Sequence, residues 1–279
     1  MNNMNAMKQM FKILGVLAIL IFSSCEKAED PIIPGGVIVI EENGILAKYK
    51  FMRVNGGQFQ MGSSNGDSDE RPVHTVVLSD YYIGETEVTA KLWHAVMGSN
   101  PSYYSGGDLG SGEYPVENVS LDDVKKFINK LNSLLGNKYG FRLPTEAEWE
   151  FAARGGLYSE GYPYAGHEDL SYIASYDGTT NYISKVKNDR HPNELGIYDM
   201  SGNVWEWCSD VYKSDYYNYS PVTNPENTNV TQNASYVIRG GSWKSNSYDC
   251  RVANRSYKKP NEKSVDLGFR LVCTYKLVR

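Results

Sequence analysis

Gly196 to Trp207, GIYDMSGNVWEW, is the stretch of the chain that says most about its fold. Asp199 is followed closely by Ser-Gly-Asn, a combination that favours a tight turn. The residues from Val204 to Cys208 indicate a short strand that leaves this turn. An acidic residue on either side of the turn, Asp199 before it and Glu206 after it, places two carboxylates close together.

Two interpretations of these carboxylates remain open from the residues alone. A turn of this kind can aim main-chain carbonyls at the same point as both carboxylates, which makes an all-oxygen site suited to calcium. Alternatively, Glu206 pairs with a buried arginine, Arg239 or Arg270, while Asp199 caps the turn. We expect one structural calcium at Asp199 and Glu206.

Three segments carry the start and stop signals of helices. Ser120 precedes an amphipathic segment and has Asp123 three residues later, which predicts a capped helix. Thr145 and Glu148 form the same kind of capping pair before a segment that ends at Gly155. A third helix is predicted from Thr89 to Met97.

Short strands are predicted between and after these helices, and the remaining segments are predicted to be long loops. The predicted strands are 51–54, 59–61, 75–78, 204–208, 236–239 and 269–274, and the longest predicted loops are 157–200 and 212–235. A few helices with short strands and much irregular chain indicate an α+β domain. Long loops in a compact domain suggest functional loops.

The first residues are predicted to target the chain for export. Lys8 and Lys12 precede the apolar run ILGVLAILIF, which is too short to span a bilayer, whose core needs about 20 residues. Ser23-Ser24-Cys25 then resembles a lipobox, so Cys25 is the expected lipidation site; an ordinary signal peptide cut near Ser24 is the alternative. We predict a lipoprotein signal peptide at 1–24, a tether at 25–45 that includes an apolar run suited to a first strand, and one domain at 46–279.

The composition bounds the function classes. The chain has 279 residues, 41% of them hydrophobic and 13% aromatic, and a formal net charge of −5. Lys and Arg are scattered along the chain, so no basic patch for nucleic acid is expected. Cysteines occur at Cys25, Cys208, Cys250 and Cys273 without the spacing of a zinc site.

Six stretches, in this order, resemble the formylglycine-generating-enzyme (sulfatase-modifying-factor) family. They are Gly84–Thr89 (GETEVT), Tyr114–Ser120 (YPVENVS), Phe141–Gly156 (FRLPTEAEWEFAARGG), Gly196–Trp207 (GIYDMSGNVWEW), Arg239–Trp243 (RGGSW) and Gly268–Arg270 (GFR). The resemblance implies that family's C-type-lectin-like α+β fold. It also implies calcium ligands at the side chains of Asp199 and Glu206 and the main-chain oxygens of Gly202 and Val204.

The segment after Arg239 departs from the oxidase members of that family. Those members carry two cysteines soon after Gly-Gly-Ser, because thiolates are the soft ligands that hold copper(I). Ser245 stands where the first cysteine is expected, and the loop before Arg251 is shortened. Copper is therefore not expected. Cys250 is the remaining candidate for a catalytic cysteine, and a disulfide between Cys208 and Cys250 is an alternative use for it.

Three functions are compatible with the sequence. The first, which we favour, is a non-oxidase binding or scaffold domain, lipid-anchored in the outer membrane of the cell envelope, that displays loops 212–235 and 243–266 to a glycan or an envelope protein. The second is an enzyme, either a formylglycine-generating oxidase acting on a sulfatase cysteine or another oxidase. The third is a structural component of the envelope or of gliding machinery. Fold resemblance does not decide among them.

Overall fold

The computed structural model describes residues 36–104, 113–179, 182–187 and 190–274. The predicted signal peptide and the predicted lipidation site, Cys25, lie outside these residues. All the elements described below belong to one compact unit. Within the described residues, no helix combines the length and the apolar character that crossing a membrane requires.

Three α-helices form where local chemistry predicts them. Helix α1 (Ala90–Met97) begins with the Thr89 hydroxyl accepting a hydrogen bond from the Leu92 N–H and ends at Gly98, whose φ is +81°. Helices α2 (Leu121–Leu134) and α3 (Glu146–Ala153) both begin with capping boxes, formed by Ser120 with Asp123 and by Thr145 with Glu148. All three predicted helices are confirmed.

Helix α3 is buried on every side, although it carries three glutamates. Each glutamate is paired with an arginine, as buried carboxylates require. The pairs are Glu146 with Arg255, Glu148 with Arg142, and Glu150 with both Arg154 and Arg239. The helix therefore sits at the centre of the domain and links several segments by charge.

The strands are short and form small sheets. They are β1 (Val37–Glu42), β2 (Ile45–Val54), β3 (Gly57–Met61), β4 (His74–Leu78), β5 (Tyr81–Gly84), β6 (Phe141–Arg142), β7 (Trp205–Val211), β8 (Tyr236–Arg239), β9 (Ser256–Lys258), β10 (Leu267–Gly268) and β11 (Val272–Cys273). One sheet has the antiparallel order β1-β2-β5-β11-β6, and a second has the order β10-β7-β8-β9, in which only β10 and β7 run parallel. Strands β3 and β4 form an antiparallel pair. The expected α+β architecture is confirmed.

Two sequence-based boundaries change. The folded part begins before residue 46, because β1 pairs with β2 and buries Ile38 and Ile40 in the main core. The strand predicted at 269–274 is wrong: β10 ends at Gly268 and β11 begins at Val272, and these strands belong to different sheets. Between them the chain passes from one sheet to the other and carries Phe269 and Arg270 into the interior.

Candidate functional site

The turn that precedes β7 has a backbone that few residues can adopt. Asp199, Gly202 and Asn203 all have positive φ values, of 60°, 85° and 58°. A side chain at Gly202 is excluded, because a Cβ there would lie 2.4 Å from the main-chain oxygen of Ser175. This turn delivers Asp199 and Glu206 to the interior, where both are buried.

Glu206 accepts three hydrogen bonds from protein partners. Arg270 approaches it with two nitrogens, Nη2 at 2.6 Å from Oε1 and Nε at 2.7 Å from Oε2. Trp149 Nε1 also donates to Oε2, at 2.8 Å. Of the two arginines that the sequence left open as partners, Arg270 holds Glu206, while Arg239 pairs with Glu150.

Asp199 has one carboxylate oxygen that is available to a cation. Its Oδ2 accepts a hydrogen bond from the main-chain N–H of Lys187 at 2.9 Å. Its Oδ1 is buried and has no hydrogen-bond partner among the residues that the structure describes. Burial raises the pKa of Asp199 to about 6. Asp199 therefore fits the expected calcium, whereas both oxygens of Glu206 are already engaged; the calcium site remains a prediction.

The Gly-Gly-Ser segment after β8 packs against Cys250 and holds a small network of hydroxyls. A Cβ on Gly241 would lie 2.7 Å from the sulfur of Cys250, so glycine is required here. The Ser242 hydroxyl donates to Asp266 Oδ2 at 3.1 Å, and the Ser242 N–H donates to the Ser245 hydroxyl at 3.0 Å. Ser245, which stands where the family resemblance implies the first copper-binding cysteine, is thus buried and hydrogen-bonded.

Cys250 is poorly suited to catalysis. It is completely buried, and burial raises the pKa of its thiol to about 12. A thiol with such a pKa is protonated near neutral pH, whereas nucleophilic attack and copper binding need the thiolate. Burial and a raised pKa therefore do not favour Cys250 as a nucleophile or a metal ligand.

The predicted disulfide between Cys208 and Cys250 is not formed. Cys208, Cys250 and Cys273 are all free and buried. Cys208 packs in the large cluster around Trp149, whereas Cys250 belongs to a separate small cluster with Leu170, Ile173 and Ala174. The pairing fails because the two thiols are held in different parts of the core.

An aromatic and charged rim lies beside the Ser242 network. The ring of Tyr104 packs edge-on against Trp243 with their centroids 5.4 Å apart, and Lys244 Nζ lies 4.8 Å from the Trp243 ring centroid. Tyr103 extends the rim and is 71% exposed. Glu117 accepts a hydrogen bond from the Tyr104 N–H at 2.8 Å.

Burial, with a smaller contribution from Asp266, raises the pKa of Glu117 to about 7. Sequence reasoning did not assign Tyr103, Tyr104 or Glu117 to a site. The YPVENVS motif contains Glu117, but nothing in its spacing shows that it meets the segment after β8.

Buried hydrogen bonds and an ion pair hold the two loops that were predicted to bind a ligand against the rest of the domain. In loop 212–235, Asn227 is buried; its side-chain Nδ2 donates to the main-chain oxygen of Val211 at 2.7 Å, and its N–H donates to Asp210 at 2.8 Å. In loop 243–266, Arg251 makes a two-pronged ion pair with the buried Glu70 at 2.7 and 3.0 Å. Both loops present a definite surface, which includes exposed Tyr219 and Tyr257.

Within the described ranges, no group of three or more His, Cys, Asp and Glu residues is arranged to hold a metal ion. The described part of the chain therefore has no metal site made of three or more of these side chains. A calcium site with two carboxylates and main-chain oxygens does not need such a group.

Comparison with known proteins shows which family the sequence belongs to. Residues 39–275 match the model of the sulfatase-modifying factor enzyme 1-like domain. The chain is 31% identical over 238 residues to serine/threonine-protein kinase pkn1 of Chlamydia pneumoniae, which covers 78% of this chain but 36% of that protein. It is 31% identical over 287 residues to the formylglycine-generating enzyme of Streptomyces coelicolor, covering 78% of this chain and 87% of the enzyme.

A solved structure agrees with these matches. Treponema denticola variable protein 1 superposes with a TM-score of 0.73 at 33% identity, covering 81% of this chain and 95% of that one. The expected C-type-lectin-like α+β fold is thereby supported by both sequence and structure. The chain belongs to the sulfatase-modifying-factor family, of which the formylglycine-generating enzymes are members.

Proposed function

We propose that this chain is a non-oxidase member of its family, a binding domain anchored in the cell envelope. The observation that carries the proposal is the Ser242, Ser245 and Asp266 network. Hydroxyls and a carboxylate follow the Gly-Gly segment, where the family resemblance implies the thiolates of the oxidases, and the thiol of Cys250 is buried with a pKa raised by burial. Such a donor set does not favour copper(I).

The rim beside this network is a suitable recognition surface. It combines exposed Tyr103 with Tyr104, Trp243 and Lys244, and Tyr and Trp side chains are typical of binding hot spots. Loops 212–235 and 243–266 are held by buried contacts, so a ligand would meet a preformed surface. Cys25 would supply the lipid anchor, and the outer membrane is the proposed location.

The ligand proposed from this chemistry is an envelope glycan or an envelope protein. The test uses the purified full chain on a glycan array and in crosslinking to native envelope extract. Tyr103→Ala combined with Lys244→Ala should abolish binding to the recognised ligand. Tyr158→Ala is the matched control, because Tyr158 is also an exposed tyrosine (63%) but follows α3. Equal binding by the double variant and the wild type would exclude this rim as the site.

A further inference from the structure

A cavity that the sequence did not indicate opens between helix α2, the end of β6 and strand β7. Its volume is about 310 Å³, and small-molecule sites in proteins typically have volumes of about 300–1,000 Å³. None of its lining residues belongs to the rim that contains Tyr103, Tyr104, Trp243 and Lys244. The cavity is therefore separate from the surface to which the proposed function refers.

The floor of the cavity is apolar and fixed in place. Leu121 and Ile128 lie on α2, Leu143 follows β6, and all three side chains are buried in the main core. Lys125 and Asn129 share one face of α2 with Leu121 and Ile128, because residues three and four positions apart lie above one another on a helix. A preformed apolar floor suits a ligand with an apolar body, since little ordering is needed when the ligand binds.

Strand β7 contributes Ser209, whose hydroxyl has no partner. The pairing of β7 with β8 is irregular between Trp207 and Val211, and irregularities of this kind can redirect a side chain. The Ser209 N–H donates to the main-chain oxygen of Pro144 at 2.9 Å, which fixes the residue at the wall of the cavity. Ser209 Oγ is buried and has no hydrogen-bond partner within the described residues. A buried polar group without a partner is uncommon and suggests a missing ligand atom or water.

The charge of Lys125 also has no counter-ion in the described part of the chain. Its Nζ lies 5.0 Å from the centroid of the Tyr236 ring and makes no ion pair with a described residue. Arg142, the other cation that lines the cavity, is neutralised by Glu148, because its Nη1 and Nη2 each lie 2.6 Å from a carboxylate oxygen. The side chain of Asn129 makes no hydrogen bond with a described residue either. The cavity therefore carries one positive charge and two neutral polar groups that are available to a ligand.

We propose that this cavity binds a small organic carboxylate with an aliphatic body. The carboxylate pairs with the ammonium group of Lys125, in a charge-assisted hydrogen bond. Ser209 and Asn129 offer further hydrogen bonds to the ligand. A neutral ligand would leave the charge of Lys125 without a partner, and a doubly charged anion would need a second available cation, whereas Arg142 is engaged by Glu148.

Titration of the purified full chain with hexanoate, followed by ligand-observed NMR, tests the proposal. Hexanoate should bind saturably, and hexanamide, which has a similar shape but no charge, should bind at least about tenfold more weakly, as expected for the loss of a hydrogen bond between charged groups. Lys125→Met, which keeps an unbranched side chain on α2, should weaken hexanoate binding by a similar factor.

Lys126→Met is the matched control. Lys126 is the next residue of α2, does not line the cavity, and lies 4.0 Å from Asp123, so its replacement should leave hexanoate binding unchanged. Wild-type affinity in Lys125→Met, equal affinities for hexanoate and hexanamide, or no binding of hexanoate by the wild type would each overturn the proposal.

A second measurement locates the ligand without any substitution. Crystals of the wild-type protein soaked in 6-bromohexanoate should show an anomalous bromine peak inside the cavity, with a carboxylate oxygen about 2.7–2.9 Å from Lys125 Nζ. A bromine peak only at another place on the protein contradicts the assignment. A ligand in the cavity whose carboxylate points away from Lys125 contradicts it as well.

Discussion

Arg270 meets Glu206 with two nitrogens, Nε at 2.7 Å from Oε2 and Nη2 at 2.6 Å from Oε1. The same guanidinium donates to the main-chain oxygens of Gly84 at 2.9 Å and Tyr198 at 3.1 Å. One side chain thus ties together the end of β5, the turn before β7 and β7 itself. Arg270 and Glu206 are both fully buried, so water cannot replace either partner of the ion pair.

Replacing Arg270 by methionine should therefore destabilise the domain strongly. Glu206 would keep only Trp149 as a partner, and removing one member of a buried ion pair costs about 3–5 kcal/mol. The free energy of unfolding is measured by urea denaturation. The control is Arg53→Met, whose ion pair with Asp80 is exposed, and exposed pairs are worth about 0–1 kcal/mol. Equal losses in the two variants would contradict the prediction.

Chelation should lower the melting temperature if a structural calcium binds the folded state. A ligand that binds only the folded state stabilises it by about 2.7 kcal/mol at 100 times its dissociation constant. Asp199→Ala should remove the sensitivity to chelator, because Asp199 Oδ1 is the unpaired oxygen of the turn. The control variant Asp80→Ala, which removes an exposed carboxylate, should remain sensitive to the chelator. Identical wild-type melting curves with and without chelator would count against the site.

The chain should not convert a sulfatase-type cysteine peptide to formylglycine, even with copper(I) and oxygen. A serine hydroxyl offers no soft donor, and the pKa of Cys250 is about 12 because of burial. Mass spectrometry of the incubated peptide detects the aldehyde, with the Streptomyces coelicolor enzyme as the positive control. Robust turnover that disappears in Cys250→Ser would restore the oxidase hypothesis.

Cys25 should carry lipid in the native protein. The prediction rests on Ser23-Ser24-Cys25 after a short apolar run. Intact mass spectrometry of membrane-purified protein should show acyl additions on Cys25, and Cys25→Ala should release the protein or leave it unprocessed. A native protein that begins at another residue and carries no lipid would refute lipidation.

Glu117 should make the domain less stable as pH rises. Its pKa in the folded state is about 7, above the ordinary value of a glutamate, so the folded state holds an extra proton between the two values. Stability from this group is therefore present at acidic pH and is lost as pH rises towards and through about 7. Urea denaturation between about pH 5 and pH 8 should show this decline, which Glu117→Gln should reduce. The exposed Glu113→Gln should leave the slope unchanged.

The helices could be predicted because their signals are local. Each capping pair spans one helical turn, so the residues that decide where a helix starts are close in sequence. The pairs are Ser120 with Asp123 and Thr145 with Glu148. The strand at 269–274 could not be predicted correctly. An apolar run does not reveal that its two ends join different sheets, with Arg270 turned inwards between them.

The sequence by itself determined the family, the capped helices and the turn at Asp199, since each depends on neighbouring residues or on a long ordered match. Only the tertiary structure decided that Arg270, and not Arg239, forms the ion pair with Glu206. It also decided that Glu87 contacts Asn203 and that Tyr104 packs against Trp243, although these residues are distant in the chain. The partners of a buried charged or aromatic side chain are the groups that lie next to it in the folded structure. That proximity arises from packing of the whole domain, which no local pattern encodes.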